Sequence, residues 1–198
     1  GNPKGVMWPH GNLIQGMKAT YRGLKQETPQ TIPELVESVR DIKASGRVTR
    51  QLAAAPLMHG TSGIAALTTH LTGGAVITLE ERSFSGRALF ECVERHRATH
   101  LTIVGDAFSR PMLEALETAR DRDESYDLSS IFLILSSGVM WTSEVKQALL
   151  EWHEFTLIDA MGSTEGSMGT QITTRGNVGE TAKFTIGKNT KVFTEDGR

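Results

Sequence analysis

From residue 51 onward the chain alternates two kinds of stretch. Short apolar runs, at residues 51–57, 75–79, 101–105, 131–135 and 155–160, are separated by longer segments that carry helical spacing. After Gly105, the residues Phe108, Met112, Leu113 and Leu116 recur at steps of four, one and three, and after Met140 the residues Val145, Leu149 and Trp152 recur in a similar way. Nearly unbroken apolar strands between amphipathic helices are what a sheet covered on both faces requires, because crossover helices bury both of its sides. The pattern predicts an α/β fold with a largely parallel sheet and helices on both faces.

Upstream the pattern is weaker. Residues 11–23 can form a helix opened by His10, Gly11 or Asn12, and the polar stretch 24–50 reads as a surface excursion with a short helix from Pro33 to about Lys43. Past Gly166 the rhythm stops, and residues 176–179, 183–186, 191–194 and 196–197 suggest short strands divided by turns. The expected organisation is an α/β core over 1–166 and a short-strand segment over 167–198 that continues into further structure.

Composition narrows the function classes. A net charge of -2 with scattered Lys and Arg offers no basic stripe for nucleic acid. The single cysteine, Cys92, excludes an internal disulfide and any multi-cysteine metal site, and fits a reducing, cytoplasmic setting. It sits among Leu89, Phe90 and Val93 and reads as a packed thiol. The apolar runs are strand-sized, well short of the roughly 20 residues of a transmembrane helix.

In an α/β sheet, ligands collect beyond the carboxyl ends of the strands. Three segments fall there: Gly138 after one run, Met161-Gly162-Ser163-Thr164-Glu165-Gly166 after another, and His59-Gly60-Thr61-Ser62-Gly63 after a third. Thr164 can donate to a phosphate oxygen, and Glu165 can hold Mg²⁺, a hard cation that takes carboxylates together with phosphates. The same pair also reads as a helix cap with an acidic first turn. The opening Gly1-Asn2-Pro3-Lys4-Gly5-Val6 suits a mobile loop whose lysine meets a phosphate, although an ordinary turn has the same composition and the complete GxxxxGK[ST] order is absent. Asp106 reads as a cap ahead of Phe108, His59 as a packed or capping residue or a pocket wall, and His96, His100 and His153 as surface or boundary residues.

Together these segments resemble the adenylate-forming (AMP-binding) superfamily, and most closely its actinobacterial fatty-acyl-CoA ligases. Gly1-Asn2-Pro3-Lys4-Gly5-Val6, with His10 and Asn12, looks like the end of that family's phosphate loop. Pro56-Leu57-Met58-His59 looks like its acyl-pocket motif, Ser136-Ser137-Gly138 like its adenine-side loop, and Met161-Gly162-Ser163-Thr164-Glu165 like its aromatic-Gly-x-Thr-Glu signature. The resemblance covers essentially the whole chain.

It implies an enzyme that activates a fatty or related carboxylic acid with MgATP, forms an acyl-adenylate, and transfers the acyl group to coenzyme A. Lys4 would then contact the β/γ-phosphates, Thr164 a phosphate and Glu165 the Mg²⁺. Gly1, Pro3, Gly5, Gly138, Met161, Gly162 and Ser163 would line the nucleotide site, and His59 and Gly60 the acyl group. Three departures bear on this. Met161 replaces the aromatic residue expected against the adenine, and Ser62 stands where the acyl motif commonly has glycine. The front of the phosphate loop, the ribose-binding aspartate, the hinge and the small C-terminal domain with its lysine are missing. The chain is therefore expected to be an internal fragment, inactive by itself, of a cytoplasmic parent with a peripheral membrane location as the alternative, and its uncovered apolar surface could produce a homodimer.

Other adenylate-forming enzymes, such as peptide-synthetase adenylation domains and luciferase-like enzymes, would share the nucleotide motifs. An amino-acid activator should place an acidic residue against the substrate amine, and none is identifiable. A non-catalytic α/β interaction module would account for the fold but not for four motifs in the family's order.

Overall fold

The computed structural model describes residues 5–187, 190–191 and 193–197. Its centre is a seven-stranded mixed sheet in the order β2-β1-β3-β4-β5-β6-β7. The strands β1 (Arg50–Ala53), β2 (Ala75–Thr78), β3 (His100–Ile103), β4 (Leu133–Ser137) and β5 (Thr156–Ser163) run parallel. Then β6 (Gly166–Thr173) folds back antiparallel on β5, and β7 (Thr185–Ile186) pairs antiparallel with β6.

Helices cover both faces. On one side lie α5 (Gly86–His96), α6 (Gly105–Asp121) and α7 (Ser143–Trp152); on the other α4 (Gly60–Leu71) covers β1–β3, with α1 (His10–Met17) against α4. Helix starts follow the expected chemistry. The hydroxyls of Ser85 and Thr142 accept backbone N–H bonds from Ala88 and Val145 at the starts of α5 and α7. Thr31 does the same for Glu34 at the start of α3 (Ile32–Ala44).

Register sets which side chains meet which layer. Leu52, Leu101, Ile103, Ile134 and Leu157 point to α5–α7 and join Leu89, Phe90, Val93, Met112, Leu149 and the fully buried Trp141 in the main core. The alternate set, Gln51, His100, Thr102, Leu133, Leu135, Ser137, Ile158 and Ala160, faces the α4 side. There α4 is sewn to the sheet by polar contacts. Thr69 donates to Gln51 Oε1 at 2.9 Å, Gln51 Nε2 donates to Thr102 Oγ1 at 3.2 Å, and Ser62 and Thr102 share a proton at 2.8 Å.

Several expectations need correction. The helix expected over 11–23 breaks after Met17 and resumes as α2 (Thr20–Gly23), because the chain turns to bury Tyr21, whose hydroxyl donates to the Leu71 carbonyl at 3.2 Å. Asp106 is not the cap of α6; Val104 holds that position, and the Asp106 carboxylate accepts from Thr142 N at 2.9 Å and pairs with Arg110. Residues 176–179 do not form a strand: Arg175 and Gly176 make a turn closed by a Thr174–Asn177 bridge, and residues 178–179 follow it without regular structure. Cys92 is half-buried, and burial raises its thiol pKa. Among the described residues no helix is long and apolar enough to cross a membrane.

Candidate functional site

On its side of the sheet, α4 covers β1–β3. Between α1, α4 and the open faces of β3–β5 lies a cavity of about 1000 Å³, within the size range of small-molecule sites. Its mouth is at the carboxyl ends of β4 and β5, where ligands of parallel sheets bind.

Gly138, at the end of β4, lines this cavity with φ +100°, a conformation that a side chain would strain, although a Cβ would touch nothing closer than Val104 Cγ1 at 3.6 Å. Its glycine is thus required by the backbone turn. Ser136, beside it in sequence, faces the other way and accepts from Gly105 N at 2.8 Å, so only Ser137 and Gly138 face the cavity.

Met161, Gly162 and Ser163 were expected in a loop beyond the strand. They belong to β5, which continues to Ser163 because β6 supplies a pairing partner, with an irregularity in register between Met161 and Gly162. All three line the cavity, and Thr164 follows them in the turn into β6. The Thr164 hydroxyl has no hydrogen-bond partner among the described residues, so it is free to donate to a ligand. It is therefore a turn residue and not a helix cap.

Glu165 is exposed and does not line the cavity wall itself. A hydrogen bond from the Ser163 hydroxyl, and then one from its own backbone, hold its carboxyl below the usual range. An ionised single carboxylate suits a Mg²⁺ whose other ligands are phosphate and water. No cluster of three acidic, His or Cys side chains that could hold a metal without them occurs among the described residues.

His59 and Gly60 begin α4 on the opposite wall. His59 is exposed at the cap position without a side-chain capping bond, and a Cβ built on Gly60 would lie 3.7 Å from Thr164 Oγ1. The anomalous Ser62 is explained by packing: it is fully buried against Thr102, while Gly63 takes the close approach, since a Cβ there would stand 2.5 Å from the Leu57 carbonyl oxygen.

The N-terminal segment reaches the same place. The Trp8 Nε1–H donates to the Thr164 carbonyl oxygen at 2.8 Å, across 156 positions of sequence. Gly5 is exposed and does not line the cavity. Gly1, Pro3 and Lys4 lie outside the described residues.

Sequence reasoning missed His100. It was read as a surface or boundary residue next to a helix, yet it opens β3 and lies on the cavity floor. Burial pushes its pKa down to about 4. The signal available was its place immediately before the apolar run at 101–105. Asp159, also near the end of β5, is turned by its register away from the cavity, into a buried pair with Lys146 at 2.9 Å.

The His100 shift gives a signed expectation. The unfolded chain binds a proton with a pKa near 6.5 and the folded chain only near 4. Stability is then fully present above the unfolded value and lost as pH falls through that window, by roughly 3 kcal/mol in all. Urea denaturation at several pH values should show this slope, and His100→Leu should remove that component; an identical slope in the variant would assign it to other groups.

The comparisons with known proteins agree with this geometry. The family model described as "AMP-binding enzyme" matches residues 1–195. A medium/long-chain-fatty-acid--CoA/3-oxocholest-4-en-26-oate--CoA ligase of Mycolicibacterium smegmatis is 31% identical over 200 residues, covering 100% of this chain and 35% of that protein. A 3-oxocholest-4-en-26-oate--CoA ligase of Rhodococcus rhodochrous is 30% identical over 203 residues, with 100% and 35% covered. This chain thus spans about a third of the length of these relatives. Among solved structures, o-succinylbenzoate CoA synthetase of Bacillus subtilis, in complex with the acyl-adenylate intermediate, shares the fold with TM-score 0.62 at 22% identity, over 91% of this chain and 32% of the other. With the family model matched across nearly its whole length, the chain belongs to the AMP-binding, adenylate-forming enzymes, close to their acyl-CoA ligases.

Proposed function

We propose that this chain supplies the acyl pocket and part of the nucleotide site of an ATP-dependent acyl-CoA ligase. Such an enzyme joins a carboxylic acid to AMP, releases pyrophosphate, and passes the acyl group to coenzyme A. The observation that carries the reading is the meeting of Trp8, Thr164 and Gly60 at the mouth of a largely apolar cavity. It puts the free Thr164 hydroxyl, a donor for a charged headgroup, beside a space for an apolar tail.

Each residue has a limited task. The free Thr164 hydroxyl donates to a phosphate oxygen, the ionised Glu165 carboxylate takes one position on Mg²⁺, and Gly138 lets the adenine approach the backbone. Met161 offers a polarizable thioether contact in place of ring stacking. His59 and Gly60 flank the acyl carbonyl. Lys4 is proposed for the β/γ-phosphates. Phosphoryl chemistry of this kind needs positioning and charge neutralisation more than a protein nucleophile.

Since the relatives are about three times as long as the matched region, the segment is proposed to work within a longer ligase, and turnover by the isolated chain is not expected. The test is acid-dependent exchange of pyrophosphate into ATP by the full-length ligase, followed by acyl-CoA formation. Exchange that no carboxylic acid stimulates would refute the reading. Exchange without CoA transfer would favour another adenylate-forming enzyme.

A further inference from the structure

The cavity changes character along its length. At its mouth stand Thr164 and Gly138; its middle, along the sheet, is walled by Leu135 and Ile158; its far end holds His100 and Leu133. His100 pairs in register with Leu133, and Ser137 with Ala160, so the two polar ends are four strand positions apart, about 13 Å at ~3.3 Å per residue. An apolar tail alone would be served better by a hydrocarbon side chain at that end.

The hydrogen bonding of His100 shows which of its atoms is unspent. Thr99 has one hydroxyl proton and two acceptors, His100 Nδ1 at 2.9 Å and the Arg50 carbonyl at 3.3 Å, while Arg50 N donates to the same hydroxyl at 2.9 Å. Whichever of the two donates, the Thr99 bond occupies Nδ1 and leaves Nε2 as the unspent atom of the ring. Nε2 has no partner among the described residues, and it is not among the wholly enclosed polar atoms. A polar nitrogen left over in a largely buried ring costs free energy unless water or a group in the cavity pairs with it.

We infer that His100 is a specificity-determining residue whose Nε2 hydrogen-bonds to a hydroxyl carried on the substrate acid about 13 Å or more from its carboxylate. This rests on the acyl-CoA ligase reading and deepens it. The preferred acids bear a distal hydroxyl, which can donate or accept, and a plain hydrocarbon chain of equal length leaves Nε2 unmatched. The neutral ring is suited to this, because an uncharged imidazole needs no counter-ion when the substrate closes the cavity.

The test is pyrophosphate exchange by the full-length ligase with a homologous series of straight-chain acids and their terminally hydroxy-substituted counterparts. At the matching length the oxygenated acid is expected to lead its plain counterpart by about tenfold to a hundredfold in kcat/KM, chiefly through KM. His100→Leu should erase that lead while exchange with the plain acids persists, and His100→Gln, which keeps both a donor and an acceptor, should retain part of it. Equal use of plain and oxygenated acids at every length would overturn the assignment, and so would a lead that survives His100→Leu unchanged. Failure of every acid to support exchange would instead remove the ligase reading, and this inference with it.

Discussion

Replacing Lys146 with methionine is expected to cost this chain about 3–5 kcal/mol of folding stability, the range for removing one partner of a buried ion pair. The Lys146 ammonium is fully buried, donates to Asp159 Oδ2 at 2.9 Å and to Gln171 Oε1 at 2.7 Å, and lies 5.3 Å from the centre of the Trp141 ring. It therefore joins α7 to β5 and β6. Gln171 extends the network, donating through Nε2 to the carbonyls of Glu180 and Lys183, each at 2.7 Å.

The pH dependence of that loss has a definite sign. Burial pushes the Asp159 carboxyl up, and the Lys146 ammonium opposes it. Without Lys146 only the upward push is left. A carboxyl raised in the folded state destabilises the protein once pH rises through its folded pKa, and does so least below the unfolded value. The variant's deficit measured by urea denaturation should accordingly shrink on acidification. The double variant Lys146→Met with Asp159→Leu should recover most of the loss, because no charge is then stranded. Equal losses in the single and double variants would show that packing, not the orphaned carboxylate, sets the cost.

The same region shows why some of the fold was legible in sequence and some was not. All five parallel strands fall in or beside the apolar runs, since strands buried on both faces leave that mark whatever their register. Their ends were less accurate. The run 51–57 stops as a strand at Ala53, ahead of Pro56, which has no N–H for a ladder, and β4 starts two positions after the run at 131, because Ile131 is buried as a loop residue.

Strand β6 was invisible for a different reason. Its inward positions are Gly169, Gln171 and Thr173, whereas Met168 and Ile172 point outward, so the usual link between apolar character and burial is inverted. Lys146 makes Gln171 an inward residue, and no periodicity could announce that. His100 was missed similarly: whether a histidine beside an apolar run meets solvent or a cavity depends on how far α4 extends across the sheet, which is a tertiary fact. The motif residues at 59–60, 138 and 161–164 were readable because their types, small, hydroxylated or acidic at strand ends, are fixed by local chemistry. Their meeting around one cavity was not.

Removing the Thr164 hydroxyl in the full-length ligase is expected to lower adenylation by a factor of about 10²–10³, about 2.7–4 kcal/mol, as for loss of one donor that meets developing charge. The hydroxyl makes no hydrogen bond within the described residues, so Thr164→Ala should leave folding stability nearly unchanged, and Thr164→Ser should restore much of the rate. The loss should appear in kcat more than in KM for the acid, because the acid's tail is held elsewhere along the cavity. Glu165→Gln should differ in kind: activity should fall but return in part at high Mg²⁺, since the variant weakens one metal ligand while the phosphates keep theirs. Trp8→Phe supplies the control for position. It keeps a smaller aromatic ring and deletes the Nε1–H bond to the Thr164 carbonyl, so a smaller loss, roughly tenfold, would follow if that bond aligns the turn. Pyrophosphate exchange by the four variants separates these roles, and a Thr164→Ala enzyme as fast as its parent would mean that the unspent hydroxyl at the cavity mouth has no part in the reaction.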